Sequence, residues 1–182
     1  MRRVVAVEFM SLDGVMEDPQ WTGAFFDDEI AQYQHDQLFR SDALLLGRVT
    51  YEEMAQAWPT MVEETGDFGE RMNSLPKHVA TTTITKPDLE WNAAPIKGDL
   101  AAGVAELKDQ EGGDLLIYGS GTLVRSLMSD NLIDEYCLLT FPIVLGKGKR
   151  LFENAIDAPA LALADTKVFK TGALALAYKP AG

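Results

Sequence analysis

One short segment, residues 114–123, constrains the fold of this chain more than any other. Its residues 115–118 form a continuous apolar run, which is typical of a strand buried on both faces of a parallel sheet. Gly119, Ser120 and Gly121 follow at once, and apolar residues then recur at helical spacing. The segment therefore predicts a strand, a glycine turn and a helix that begins near Thr122.

A strand, a glycine turn and a helix in this order can bind phosphate. The glycines allow backbone N–H groups to approach an anion, and the helix N-terminus adds its partial positive charge. The alternative is a tight turn before a packed helix, because short turns with two glycines are common. This segment alone leaves both interpretations open.

A second segment repeats the pattern. Residues 43–46 are another apolar run, followed by Gly47 and Arg48. Thr50 and Glu53 have the spacing of a capping box, which predicts that Thr50 caps a helix. Arg48 could bind a phosphate through both arms of its guanidinium group, or it could be an ordinary surface arginine. Two such turns together predict one extended ligand with more than one phosphate.

Composition excludes several classes of function. The 182 residues suit a single domain, residues 1–182, with a sizeable core. The net charge of −12 argues against nucleic acid and anionic membrane surfaces as partners, because both require a positive field. A small anionic ligand remains possible, since it responds to local groups more than to distant, screened charge.

Cysteine and histidine usage predicts no metal site. Cys137 is the only cysteine, and neither His35 nor His78 has metal-binding spacing. No apolar run approaches the length of a membrane span, and Glu8 interrupts the only stretch that resembles a signal peptide. We therefore expect a cytoplasmic protein whose residues 4–9 form a first strand.

The order of elements predicts an α/β fold. Strands alternate with helices up to about residue 130, and strands dominate afterwards, which predicts a mostly parallel sheet with an antiparallel edge. Residues 161–170 and 173–179 are expected to form an antiparallel hairpin. Asp27 is a good N-cap for the first helix, with Asp28 and Glu29 in its first turn.

Four motifs, in this order, resemble the dihydrofolate reductase-like superfamily. They are Met10-Ser11-Leu12-Asp13-Gly14, Leu46-Gly47-Arg48-Val49-Thr50-Tyr51, Tyr118-Gly119-Ser120-Gly121-Thr122-Leu123, and the stretch from Pro142 through Gly146-Lys147-Gly148 to Leu151-Phe152. The chain is most similar to the reductase domain of the bifunctional riboflavin-biosynthesis deaminase/reductase, but it lacks the zinc deaminase signature. The resemblance implies a three-layer fold around a mixed, mostly parallel sheet of about eight strands, and NADPH as the cofactor.

The resemblance also implies which residues bind the cofactor. Threonines 81–83 would lie near the adenosine ribose and its 2′-phosphate, although strand propensity explains them equally well. The two glycine turns would hold the cofactor phosphates. The implied cofactor-binding residues are Gly47, Arg48, Thr50, Thr81, Thr82, Thr83, Gly119, Ser120, Gly121, Thr122 and Leu123.

Substrate and catalytic residues are less clearly indicated. The loop from Ser11 to Gly14 would close over the nicotinamide, and the aromatic residues Trp21, Phe25 and Phe26 could stack on a planar ring or belong to the core. Asp13, or an acid among Asp27, Asp28 and Glu29, could orient the substrate or relay a proton. The three acids at 27–29 could equally serve only to cap a helix.

The resulting hypothesis is an NADPH-dependent reductase that transfers hydride to a C=N or C=O group of a pterin- or ribosylaminopyrimidine-like substrate. The alternative is a nucleotide- or ligand-binding protein on the same fold without turnover. We also expect a homodimer through the C-terminal strands, because the final hairpin carries apolar residues on both faces.

Overall fold

The computed structural model describes residues 1–84, 89–153 and 159–182. These residues include the strands β1 (Val4–Ser11), β2 (Ser41–Gly47), β3 (Lys77–Ala80), β4 (Ala93–Pro95), β5 (Asp114–Tyr118), β6 (Glu135–Phe141), β7 (Leu161–Val168) and β8 (Leu174–Pro180). All of them belong to one sheet, in the order β4-β3-β2-β5-β1-β6-β8-β7.

The sheet is parallel except at one edge. From β4 to β6 in the order of the sheet, all neighbouring strands pair in parallel, whereas β8 is antiparallel to both β6 and β7. The prediction of a mostly parallel sheet of about eight strands with an antiparallel C-terminal hairpin is therefore confirmed. The first strand is longer than predicted, because β1 continues through Met10 to Ser11 alongside β6.

Helices cover both faces of the sheet. They are α1 (Asp28–Phe39), α2 (Arg48–Ala57), α3 (Val62–Thr65), α4 (Asp67–Ser74), α5 (Leu100–Lys108) and α6 (Gly121–Ser129), with short 3-10 helices at Pro19–Ala24 and Trp58–Thr60. Ile30 of α1, Tyr51 of α2 and Met72 of α4 join one buried cluster, whereas Val104 of α5 and Val124 of α6 join the other. The fold therefore has three layers. None of the helices in the described residues is long and apolar enough to cross a membrane.

The structure tests the capping predictions for two helices, α1 and α2. The Asp27 side chain accepts a hydrogen bond from the backbone N–H of Ile30 at 3.0 Å, so Asp27 caps α1 as predicted. The capping box at Thr50 is wrong, because α2 already begins at Arg48 and Gly47 is its N-cap. No loop separates β2 from α2, so Thr50 lies inside the first helical turn. Similarly, α6 begins at Gly121, one residue before the predicted start.

Strands β1 and β5 separate at their carboxyl ends. They pair from Val4↔Leu115 to Val7↔Tyr118, where β5 ends, while β1 continues to Ser11 against β6 alone. The chain leaves β1 through α1 towards β2 and leaves β5 through α6 towards β6, on opposite faces and in opposite directions along the sheet. In α/β sheets such a reversal of strand order is where ligands bind.

Candidate functional site

A cavity of about 1540 Å³ lies at the carboxyl ends of the central strands. Its lining comes from the ends of β1, β2 and β5, from the helices α1, α2, α4 and α6, and from the segment that follows β1. Pockets for a single drug-sized ligand usually measure about 300–1,000 Å³. The cavity therefore has room for a dinucleotide together with a second small molecule.

The two predicted phosphate-binding turns meet in this cavity. The backbone N–H of Gly47 donates to Ser120 Oγ at 2.9 Å, which joins the end of β2 to the end of β5. Gly119 and Ser120 both adopt left-handed backbone, with φ of 59° and 60°. A serine in this region is strained, and such strain is concentrated at functional sites. The predicted cofactor residues that line the cavity are Gly47, Arg48, Thr50, Gly119, Ser120, Gly121, Thr122 and Leu123.

The start of α6 presents donors to this space. The backbone N–H of Val124 donates to the carbonyl of Ser120 at 3.0 Å, so the amides of the three preceding residues have no acceptor within the helix. Gly121 packs closely against the Met16 side chain, which would have to shift if a Cβ were added, because that Cβ would lie 2.5 Å from Met16 Sδ. This helix N-terminus can hold an anion through backbone donors and its partial positive charge.

Arg48 lies at the start of α2, where it is exposed and paired with Glu52 at 2.9 Å. A pair between exposed side chains is weak, so the guanidinium can be redirected to a ligand phosphate. Arg125 of α6 also lines the cavity, but it donates to the carbonyls of Arg150 and Leu151, at 3.2 Å each. Of the two arginines, Arg48 is therefore the better candidate for phosphate binding.

The three threonines after β3 do not reach the cavity. Thr81 Oγ1 accepts from the backbone N–H groups of Thr83 and Ile84, at 3.2 Å each. None of Thr81, Thr82 and Thr83 is among the described residues that line the cavity, whereas the strand's last residue, Ala80, is. The threonines form a turn rather than the end of a strand, and the adjoining residues 85–88 lie outside the described residues.

Asp13 binds the backbone of the loop that follows β6. Its carboxylate accepts from Ser11 Oγ at 2.6 Å and from the backbone N–H groups of Leu145 and Gly146 at 3.1 and 2.8 Å. The Ser11 hydroxyl and then the two backbone donors lower the pKa of Asp13 to about 2. Neither Ser11, Asp13 nor Gly14 is among the described residues that line the cavity. An acid this strongly ionised is a poor proton donor at neutral pH, so the geometry favours a structural role for Asp13 over proton relay.

The acids at the start of α1 have separate surroundings. Asp27 is committed to capping, and Glu29 forms an ion pair with Lys170 at 3.1 Å. Asp28 lines the cavity. It is the one acid of this group that the structure brings to the site.

Two of the predicted stacking residues belong to the core. Trp21 and Phe25 pack against Phe141 with ring centroids 5.8 and 6.2 Å apart, and neither is among the described residues that line the cavity. Phe26 does line it, together with Phe9, with ring centroids 6.3 Å apart. Of the three predicted stacking residues, Phe26 is therefore the one that reaches the cavity, whose lining also includes Phe9, Trp58 and Phe68.

Sequence reasoning missed Glu8 as a site residue. This glutamate of β1 lines the cavity but is only 1% exposed. Burial raises the pKa of its carboxyl well above the ordinary value of 4.5. The available signal was a single acid inside an otherwise apolar strand, which predicts a buried acid because both faces of a central parallel strand are covered.

Comparisons with known proteins agree with this architecture. The family model of the RibD C-terminal domain matches residues 2–175. The uncharacterized protein YyaP of Bacillus subtilis is 26% identical over 183 residues, covering 97% of this chain and 94% of that protein.

Solved structures show the same fold. A putative riboflavin biosynthesis protein from Shewanella sp. PV-4 is 22% identical with a TM-score of 0.78, and the match covers 99% of both chains. Dihydrofolate reductase from Enterococcus faecalis, complexed with NADP(H), is 13% identical with a TM-score of 0.65, covering 99% of this chain and 97% of that one. At these identities the structural matches establish the shared fold.

Proposed function

Because this chain belongs to the RibD C-terminal domain family, whose members are reductase-type domains, we propose that it is an NADPH-dependent reductase. The proposed reaction transfers hydride to a C=N or C=O group of a pterin- or ribosylaminopyrimidine-like substrate. One observation carries the proposal: the two glycine turns, joined by the hydrogen bond between Gly47 and Ser120, line a single cavity. Dihydrofolate reductase from Enterococcus faecalis, which shares this fold and was solved in complex with NADP(H), supports the choice of cofactor.

The residues present fit such a cofactor. The free amides at the start of α6 would hold the pyrophosphate, and Arg48 would bind a further phosphate. When bound, NADPH would supply the hydride, and the protein would orient it and exclude water. Phe9 and Phe26 offer a planar substrate an apolar surface at the same cavity.

A calorimetric titration of the purified protein with NADPH tests cofactor binding. We expect saturable binding with a stoichiometry of one NADPH per chain. Absence of binding at millimolar NADPH would refute the proposed function.

A ligand-binding protein without turnover is the second candidate. It is favoured by the structural roles of Asp13 and Asp27, which leave two of the predicted acids without a part in proton relay. Oxidation of NADPH can be followed by absorbance over a panel of pterins, ribosylaminopyrimidines and small carbonyl compounds. Binding of NADPH without oxidation in any of these reactions would favour the second candidate.

Arg48 provides a test of the cofactor site. We expect Arg48→Ala to weaken NADPH binding by about 1.5–3 kcal/mol, the range for hydrogen bonds to charged groups. Glu52→Gln is the matched control: it removes the partner carboxylate but leaves the guanidinium, so NADPH should bind equally or more tightly. Equal affinity of the parent protein and Arg48→Ala would show that Arg48 is an ordinary surface residue.

A further inference from the structure

We propose that Glu8 is a neutral, buried carboxylic acid that binds the amide edge of a planar ring entering the crevice between β1 and β5. An amide edge here means a carbonyl oxygen and an N–H that point the same way. The identity of the ligand rests on the proposed function. The burial and position of Glu8 are observed in the structure and do not depend on that function.

The position of Glu8 follows from the sheet register. The last pair between β1 and β5 is Val7↔Tyr118, and Glu8 is the next residue along β1. Side chains alternate along a strand, so Glu8 lies on the same face as Ala6, which packs in the cluster of α5 and α6. Glu8 therefore enters the cavity beside the turn that begins α6.

Among the described residues, no cationic side chain compensates the Glu8 carboxyl group. Its Oε1 atom is buried and has no hydrogen-bond partner within the described part of the chain. The cationic side chains that line the cavity are engaged elsewhere: Arg125 with two carbonyls, Arg48 with Glu52, and Lys149 with Glu17.

An isolated buried carboxylate is costly, so the group keeps its proton instead. Burial raises the pKa of Glu8 accordingly, and desolvation is the cause. The cavity therefore contains a neutral acid with one O–H donor and one carbonyl acceptor close together.

This pair of groups matches an amide edge. The O–H can donate to the amide carbonyl while the acid carbonyl accepts from the amide N–H, which gives the buried Oε1 atom a partner that the described part of the chain does not provide. Two ligands of the proposed reaction carry such an edge: the nicotinamide through its carboxamide and a pyrimidine or pterin through its ring lactam. A carboxylate in the same position would supply acceptors only, and binding would be weaker.

Binding of two probes to matched variants tests the proposal and identifies the source of the amide. The variants are Glu8→Ala, Glu8→Gln and, as a control, Glu106→Gln, which changes an exposed glutamate of α5 that is not among the described residues lining the cavity. The probes are NADP⁺, compared with its nicotinic acid analogue, and 6-aminouracil. We expect Glu8→Ala to weaken one probe about tenfold or more. Glu8→Gln keeps a donor and an acceptor and should stay within about threefold of the parent, as should the control.

Difference infrared spectroscopy supplies a readout that folding alone does not change. The parent protein should show the C=O band of a protonated carboxylic acid that Glu8→Gln lacks, and the bound probe should shift that band. If the nicotinamide carboxamide is the partner, replacing it by a carboxylate should weaken binding in the parent but not in Glu8→Ala. If the lactam is the partner, only 6-aminouracil should respond to the variants.

The outcomes separate this inference from the proposed function. Equal affinity of both probes for parent and Glu8→Ala, or no protonated-acid band, overturns the inference, while NADP⁺ binding by the parent would still support the reductase. Binding of 6-aminouracil that depends on Glu8, without any binding of NADP⁺ or NADPH, supports the inference and refutes the reductase. Binding of neither probe by the parent overturns both.

Discussion

Glu8 and Asp13 lie on one strand and the turn that follows it, yet their surroundings shift their pKa values in opposite directions. Burial without a partner raises the pKa of Glu8, whereas a hydroxyl and two backbone amides lower the pKa of Asp13 to about 2. Hydrogen bonds to the charged form and loss of solvent are distinct causes with opposite effects on a carboxyl group. At neutral pH the first acid is therefore a candidate proton-bearing group and the second a fixed charge.

The raised pKa of Glu8 predicts a pH-dependent cost in stability. Below the ordinary value of 4.5 both folded and unfolded states are protonated. Above it the unfolded state ionises while the folded state keeps its proton, so the free energy of unfolding falls by at most about 1.4 kcal/mol per pH unit until the folded group also ionises.

The glutamine of Glu8→Gln does not titrate. We therefore expect the variant to gain stability over the parent progressively as the pH rises above 4.5. Urea denaturation of both proteins at several pH values measures this difference. A difference that is independent of pH would show that Glu8 ionises as freely in the folded state as in the unfolded one.

At the scale of elements, the segment after β1 is attached to the loop after β6. The Asp13 carboxylate accepts from the amides of that loop, the amide of Met16 donates to the carbonyl of Lys149 at 2.9 Å, and Val15 bridges to Arg150. Met16 in turn contacts Gly121 at the start of α6. The attachment therefore extends from the turn at Asp13 to the N-terminus of α6.

Replacing Asp13 by asparagine should loosen this attachment. The variant keeps the size of the side chain but loses the charge and one acceptor, so the amides of Leu145 and Gly146 should exchange hydrogen faster than in the parent. Hydrogen exchange measured by mass spectrometry or NMR would detect this. Asp18→Asn is the control, because Asp18 is exposed and asparagine tolerates its left-handed backbone. Unchanged exchange in Asp13→Asn would mean that backbone contacts alone hold the loop.

At the scale of the whole molecule, the edge strand β7 is exposed along almost its entire length. Leu163 and Val168 are 54% and 72% exposed on this strand. Unprotected edge strands pair readily with other chains, and exposed apolar patches mark interfaces. We therefore propose a homodimer joined mainly through the C-terminal strands β7 and β8.

Light scattering at micromolar concentration tests the dimer. We expect a mass about twice the 20.0 kDa of one chain, and Leu163→Lys combined with Val168→Lys should shift it towards the monomer, because two like charges would meet across a two-fold axis. Val144→Lys is the control, since Val144 is equally apolar and exposed but lies on the loop after β6. A monomer mass for the parent protein would reject the proposal.

The sequence by itself determined the features that depend on neighbouring residues. Apolar runs ending in glycine located β2 and β5 and the turns after them, and Asp27 could be identified as a cap because capping involves residues within one helical turn. The antiparallel hairpin followed from two apolar segments joined by a tight turn. Each of these patterns lies within one short, continuous stretch of chain.

Only the tertiary structure decided which side chains share the cavity. Trp21 and Phe25 pack against Phe141, and threonines 81–83 form a turn held by their own hydrogen bonds. Glu8 lies in the crevice between β1 and β5. Strand register and helix packing orient these side chains through contacts with residues far along the chain. The residue type alone does not decide whether an aromatic or acidic side chain lies in the core or in the cavity. The choice depends on where β5 stops pairing with β1, since that point opens the space in which the site lies.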